Sequence, residues 1–352
     1  MRGVGKMRAM VVERYGEPLR LAEVPVPEPG PGEVLVKVIA CGVCRSDLKI
    51  VEGHMPFSPT LPLPHVPGHE ICGEVAACGA GTTLPLGQRV VVHNYWSCGR
   101  CRFCLMGEET LCDHLRGWVG FTSPGGFQEY LVVPEAHALP LPPAIDPEGA
   151  GVLSCAVGTS YHALVSQARV QPGETVVILG VGGVGLHAVQ VARVTGAKVI
   201  AVDVEEARLA AARDLGAMEA LRAGGEAEKA VQEITSGIGA DIVVDCVGTA
   251  QTFAPAIAMV RKGGRIVVVG YTTDSRGYPS LPTDLVALRQ LSILGSRYVP
   301  RVELERVIDL AGRGLIRPVV SEVLDLSRAN DALDLVRRDR VVGRVVLRIG
   351  QS

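Results

Sequence analysis

The run Val176-Val177-Ile178-Leu179 passes directly into Gly180-x-Gly182-Gly183-x-Gly185 and then into a helical pattern, and this junction constrains the fold more than any other feature of the chain. Gly180 permits a tight turn, Gly182 lets a ligand approach the backbone, and Gly185 allows the helix to pack closely on the strand. A strand that enters a helix in this way belongs to a βαβ unit, with the helix's free N–H groups facing an anion. Asp203 closes the next strand-like run about twenty residues on, where a carboxylate accepts both hydroxyls of an adenosine ribose and repels a 2′-phosphate. The junction therefore predicts a dinucleotide site formed by Gly180, Gly182, Gly183, Val184, Gly185 and Asp203, with NAD preferred over NADP. Arg208 either contacts the ribose or is a solvated helix residue.

Strand-like runs at 175–179, 198–202, 242–245, 265–269 and 292–294 alternate with helical patterns near 184–195, 205–215, 227–235 and 252–260. That rhythm predicts a doubly wound parallel sheet and an α/β fold class. The preceding chain reads differently, with short β-branched runs at 7–12, 34–40, 90–93 and 130–133 between Gly and Pro turns, as in an irregular β-rich domain. A helix around 328–337 and a strand at 343–349 return to that first domain. The expected division is 1–157, 158–296 and 297–352, with residues 1–6 as a loose extension.

Lys and Arg total 35 against 37 Asp and Glu, a net charge of -2, so no basic excess is present to neutralise a nucleic acid. The longest apolar stretch, 175–202, is broken by His187, Gln190, Arg193 and Lys198 and is not a membrane span. No apolar segment follows the basic N-terminus, and a cytoplasmic location is expected. There the 10 Cys stay reduced, which favours metal or catalysis over disulfides.

Cys98, Cys101, Cys104 and Cys112, in a lobe at about 94–116, follow a C-x2-C-x2-C-x7-C pattern that fits a closed tetrahedral zinc shell, the structural kind. Unliganded thiols or two disulfides are the competing reading. Cys44, His69 and Cys155 form no local cluster, but two thiolates and an imidazole leave a fourth position open, the pattern of catalytic zinc. Asp47 and Glu70 stand near them in sequence, and a carboxylate can fix the tautomer of a ligating His. From the residues alone, His69 as a satisfied core histidine and Cys155 as a small core residue remain open.

Cys41-Gly-Val-Cys44-Arg-Ser-Asp47, Pro67-Gly-His69-Glu70, the four-cysteine lobe, Ser154-Cys155-Ala-Val-Gly-Thr159 and the glycine motif ending at Asp203 together resemble the medium-chain, zinc-containing alcohol dehydrogenase family, over nearly the whole chain from about Met7. The resemblance implies a GroES-like catalytic domain plus a Rossmann-fold domain, an active site in the cleft between them, two zinc ions per chain and NAD. It makes Cys44, His69 and Cys155 the catalytic zinc ligands, with Glu70 an acidic neighbour able to approach the metal. Ser46 is implied as the hydroxyl that meets the substrate alcohol, Thr159 as a neighbour of the nicotinamide, and Arg45 and Arg344 as pyrophosphate contacts. Many relatives end the proton relay with a His where this chain has Lys49. Lys49 is then either a relay group of lowered pKa or a solvated cation, and His54 is a possible substitute.

The implied substrate is a small uncharged alcohol, aldehyde or ketone, with Asn94, Tyr95, Trp96 and Trp118 either near its pocket or simply packing residues. A homodimer or homotetramer is implied, with 290–298 a candidate for pairing across a two-fold axis. An enoyl or quinone reductase of the same superfamily would not need the three dispersed ligands. A zinc-lobed regulator would need a basic face that the lobe lacks, since Arg100, Arg102 and Arg116 are matched by Glu108, Glu109 and Asp113.

Overall fold

The computed structural model describes residues 5–350. Residues 1–4 of the expected extension lie outside them, and Lys6 already begins the first strand. Strands β1 (Lys6–Val11) and β2 (Arg20–Pro25) form an antiparallel hairpin. Next come the long strand β3 (Glu33–Val43), helix α1 (Arg45–Val51), β4 (Glu70–Cys78) and β5 (Arg89–Val92). A short ribbon of β6 (Tyr95–Trp96) and β7 (Gly117–Trp118) closes the cysteine lobe, which carries α2 (Arg102–Leu105). The first stretch ends with β8 (Tyr130–Pro134), β9 (Ala138–Pro140) and α3 (Pro147–Ala150).

After α4 (Ala156–Tyr161) the alternation begins: β10 (Thr175–Leu179), α5 (Gly185–Val194), β11 (Lys198–Asp203), α6 (Glu206–Asp214), β12 (Glu219–Arg222), α7 (Gly225–Ile234), β13 (Ala240–Asp245), α8 (Ala250–Met259), β14 (Val260–Val268), α9 (Thr283–Leu288) and β15 (Ser292–Gly295). The chain ends with α10 (Arg301–Gly312), β16 (Val320–Asp325), α11 (Ala329–Arg337) and β17 (Arg344–Arg348).

The structure divides into two units, one running to Cys155 and including 300–312 and 320 onward, the other comprising 156–299 and 313–319. In the first, the sheet order is β16-β17-β3-β4-β5-β9, with β8 also paired to β3. The inward faces of β3, β4 and β5 supply Val36, Val38, Ile71, Val75 and Val90, all buried, to one apolar core shared with Leu333 of α11. The C-terminal return is held by β17, antiparallel to β3 with Val345 opposite Val43. Residues 297–299 depart from the expected division, which put everything after 296 with the first domain, and so do residues 313–319. The latter are tied to α5 by hydrogen bonds described below.

The second unit is a parallel sheet of order β12-β11-β10-β13-β14-β15. Its strands run outward on both sides from β10 and β13, so a crevice opens at the carboxyl end of β10, where the glycine motif lies. Sequence patterning gave five of these strands and missed β12, whose residues Glu-Ala-Leu-Arg include no β-branched side chain. β15, within the 290–298 segment expected to pair across a two-fold axis, is the edge strand, and no other strand among the described residues covers its outer side. No helix among the described residues is long and apolar enough to cross a membrane.

Candidate active site

Cys44 caps helix α1, and the residue at the third helical position, Asp47, accepts the Cys44 N–H at 2.7 Å. This is local capping chemistry, in which a side chain on the first turn satisfies a backbone donor at the helix start. The other Asp47 oxygen reaches across to the next strand, accepting the Gly68 N–H at 3.2 Å and the His69 Nδ1–H at 2.9 Å. One fully buried carboxylate thus orients both a cysteine and a histidine. Glu70 follows as the first residue of β4, opposite Gly42 of β3. Cys155 is brought in by the turn before it: a Cβ on Gly151 would lie 2.1 Å from the Glu70 carbonyl oxygen, so only glycine allows the chain to pass this close.

One ligand atom from each of Cys44, His69, Glu70 and Cys155 lies within 4.8 Å of all the others. All four side chains are buried, and His69 Nε2 has no hydrogen-bond partner among the described residues. A buried imidazole nitrogen left without a partner is costly, and here it faces two thiols and a carboxylate. Arg344 borders the group, donating from Nε to both Glu70 oxygens at 2.9 and 3.1 Å, with Nη2 3.6 Å from Cys44 Sγ. The Cys44 thiol is driven well below its ordinary pKa by its hydrogen-bonded neighbour Cys155, against the opposing effect of burial, with Arg344 and His69 adding to the pull. Burial pushes the Glu70 carboxyl upward against the attraction of Arg344. A thiolate, an imidazole held as its Nδ1–H tautomer and a second thiol form a donor set that fits zinc with a position to spare.

In the lobe, Cys101 Sγ lies 3.4 Å from Cys104 Sγ and 3.9 Å from Cys112 Sγ, and Cys98 Sγ lies 3.9 Å from Cys104 Sγ. Four thiolates on one tetrahedral zinc at a bond length of about 2.3 Å place their sulfurs roughly 3.8 Å apart. Backbone N–H groups point at the sulfurs, from Cys101 to Cys98 and from Cys98 to Cys112, each at 3.3 Å. Such donors favour the charged form, and those of Cys104 and Asp113 push the Cys101 thiol down to about 6. The lobe is anchored through Glu109, which accepts the Arg301 N–H of α10 at 2.8 Å.

The chain matches the "Alcohol dehydrogenase GroES-like domain" model at residues 30–143 and the "Zinc-binding dehydrogenase" model at residues 183–313. It is 37% identical over 351 residues to an alcohol dehydrogenase of Geobacillus stearothermophilus, covering 98% of this chain and 100% of that one. The chain belongs to the medium-chain, zinc-containing alcohol dehydrogenase family. An NAD-dependent alcohol dehydrogenase of Sulfolobus acidocaldarius is 36% identical, covering 97% of this chain and 100% of the relative. A crystal structure described as an NAD-dependent alcohol dehydrogenase superposes with a TM-score of 0.93 at 38% identity, covering 98% of this chain and 100% of that one. The first unit is the family's GroES-like domain and the second its Rossmann-fold domain.

Against that family pattern the other expected residues fall as follows. Ser46 and Lys49 lie on α1 beyond Cys44, both partly buried. Burial lowers the Lys49 pKa, with Cys44 opposing and Arg45 assisting, so Lys49 is not a plain solvated cation. His54 is exposed and turned toward Glu52, its Nδ1 at 3.3 Å from that carboxylate. Arg45 is exposed and paired with Asp339 at 2.7 Å. Arg344, expected at the pyrophosphate, has its Nε edge paired with Glu70.

Tyr95 and Trp118 face one another across the ribbon, with ring centroids 6.0 Å apart. Trp118 stacks on Phe121 at 4.1 Å, and Phe121 lies 4.9 Å from the His69 ring. Phe57 adds a third ring at 5.3 Å from Trp118. Sequence reasoning found Trp118 but missed Phe57 and Phe121, because single aromatics in loops carry no periodic signal. Trp96 donates to the His93 carbonyl at 3.0 Å, and both amide atoms of Asn94 are buried without a partner among the described residues.

In the Rossmann unit, Gly180 has φ +82°, a Cβ on Gly185 would lie 2.1 Å from the Gly180 carbonyl oxygen, and a Cβ on Gly182 would meet nothing within 4 Å. The turn, the close packing and the open face are those that the motif requires. Asp203 accepts the Val181 N–H at 2.8 Å, and Arg208, 7% exposed, stands 3.6 Å from it. Arg208 is therefore no solvated helix residue. Thr159 is buried in α4.

Proposed function

We propose that the protein is a zinc-dependent alcohol dehydrogenase that reversibly transfers hydride between an uncharged alcohol and NAD, with Cys44, His69 and Cys155 as ligands of a catalytic zinc and the four lobe cysteines as ligands of a structural one. The observation that carries this reading is the buried, unpartnered His69 Nε2 facing Cys44, Cys155 and Glu70 while Asp47 holds Nδ1. When bound, zinc supplies a Lewis acid to the alcohol oxygen and NAD supplies the hydride acceptor.

The chain's own residues do the rest. Asp47 keeps the proton of His69 on Nδ1, leaving the Nε2 lone pair for the metal. Glu70, paired to Arg344, offers an acidic alternative ligand at the same position. Ser46 takes the alcohol proton at Oγ, and the Trp118, Phe121 and Phe57 rings form an apolar wall that favours an uncharged substrate. Asp203 receives the adenosine ribose and repels a 2′-phosphate. The reading places the protein in the cytoplasm, where its cysteines stay reduced and able to bind metal.

A panel of primary, secondary, aromatic and polyol substrates, followed by the absorbance of reduced nicotinamide, tests the reading. Alcohol oxidation with NAD is expected to exceed that with NADP by at least about a hundredfold in kcat/KM, the scale of a like-charge clash in a ribose pocket. The active species is expected to sediment as a dimer or tetramer. Reduction of conjugated carbonyls by NADPH with no alcohol oxidation would instead indicate the reductase chemistry.

We further assign Lys49 to the end of the proton relay. Lysine accepts a proton only when neutral, so a lowered pKa makes alcohol oxidation rise with pH through that value. Lys49→Ala is expected to move this limb of the turnover profile, whereas an unchanged profile removes Lys49 from the relay.

A further inference from the structure

His187 is fully buried on the first turn of α5, directly after the glycine motif. Its own backbone N–H bonds the Val184 carbonyl at 3.0 Å, which leaves the Gly183 carbonyl without its usual helical donor. The side chain of the same residue fills that place: His187 Nδ1 lies 2.6 Å from the Gly183 carbonyl oxygen. On the other side of the ring, Nε2 accepts the Val319 N–H at 3.0 Å. Because Nε2 accepts, the ring must be neutral and carry its proton on Nδ1.

Val319 ends a segment that runs along one stripe of α5. Gln190, one turn on from His187, donates to the Arg317 carbonyl at 2.9 Å and accepts the Arg317 N–H at 3.0 Å. Arg193, a further turn on, reaches the Leu315 carbonyl at 3.5 Å. Helix positions 187, 190 and 193, on one stripe of α5 at i, i+3 spacing, thus meet alternate residues 319, 317 and 315 of the strap.

The consequence lies in the Gly183–Val184 peptide. In a trans peptide the C=O and the following N–H point in opposite directions. With the Gly183 carbonyl drawn back to His187, the Val184 N–H is turned away from the helix body. That N–H and those of Gly182 and Gly183 have no acceptor among the described residues. Gly182 beside them has open space on its Cβ face.

We propose that His187 is a positioning residue for the cofactor pyrophosphate: by donating from Nδ1 to the Gly183 carbonyl, it holds the Val184 N–H in the orientation that donates to a phosphate oxygen. The inference rests on the NAD reading. It separates two jobs within one side chain, the Nδ1 donor that sets the peptide and the Nε2 acceptor that holds the strap.

Two substitutions divide these jobs. His187→Asn keeps a donor at the δ position, whereas His187→Gln carries its amide one bond further out, at the height of Nε2. Binding of NADH, ADP and adenosine to the zinc-loaded enzyme is measured by fluorescence titration and calorimetry. H187Q is expected to weaken NADH and ADP about tenfold, the scale of one misdirected charge-assisted hydrogen bond, and to leave adenosine, which has no phosphate, unchanged. H187N is expected to bind all three within about twofold of wild type. In turnover, the H187Q effect is expected in KM for NAD and not in KM for the alcohol. Wild-type affinity for ADP in H187Q, equal losses for ADP and adenosine, or a loss in H187N as large as in H187Q would each overturn the assignment. Wild-type enzyme that binds neither NADH nor ADP would overturn the NAD reading and this inference with it.

Discussion

Replacing Cys44 by serine is expected to lower kcat for alcohol oxidation by at least about a thousandfold, a loss of more than about 4 kcal/mol of transition-state stabilisation. Serine nearly preserves the shape of the residue and leaves the backbone N–H free to bond Asp47, so the α1 cap survives. What disappears is a thiolate whose charge is favoured by Cys155, Arg344 and His69. An alkoxide is a far poorer match at neutral pH, because a serine hydroxyl resists deprotonation where a thiol does not. Zinc at this position is expected to fall toward zero while the lobe keeps its own, giving one ion per chain by metal analysis. NADH titration provides the control and is expected to be unaffected. Turnover within a few-fold of wild type would mean that Cys44 is not a ligand of the catalytic metal.

The second large effect is on stability. Cys104→Ala is expected to lower the melting temperature by roughly 10 °C or more and to remove one zinc per chain. Structural zinc binds with an apparent free energy of about 10–16 kcal/mol, and for a domain of this size each kcal/mol lost shifts melting by about 2–4 °C. The cysteine turn around α2 has little apolar packing to hold it. α2 contains no buried residue, and Leu105 and Met106 at its end are 76% and 72% exposed. One tie from the lobe to the rest of the unit runs through Glu109 and Arg301, so disorder in the lobe would also free the start of α10. Differential scanning calorimetry with and without a chelator checks this. A variant that melts with the wild type and keeps two zinc ions would show that Cys104 bears no metal.

These two sites differed in how far the sequence alone could reveal them. The lobe's four thiols are local, and a short spacing forces their sulfurs together whatever surrounds them. The Gly180 motif is local in the same way, since turn, phosphate approach and helix packing all fall within one strand-to-helix junction. Cys44, His69 and Cys155 instead depend on β3 to β4 pairing and on the close pass at Gly151, neither of which follows from composition or period, so the residues alone left His69 and Cys155 open as core residues and the family resemblance decided the grouping. The pairing of Arg344 with Glu70 was hidden for the same reason, since it needs β17 beside β3. β12 was missed because its four residues lack strand propensity and are held by their neighbour β11. The strap at 313–319 gave no signal at all, for the groups it offers to His187, Gln190 and Arg193 are backbone N–H and C=O that any sequence supplies.

The central claim is that one zinc lies between Cys44 Sγ, His69 Nε2 and Cys155 Sγ and drives the reaction. Anomalous diffraction at the zinc edge, on crystals of the enzyme as purified and active, tests it most directly. Two peaks per chain are expected, one enclosed by the lobe sulfurs and one by these three atoms. A single peak in the lobe, from crystals of enzyme that still oxidises alcohol, would contradict it.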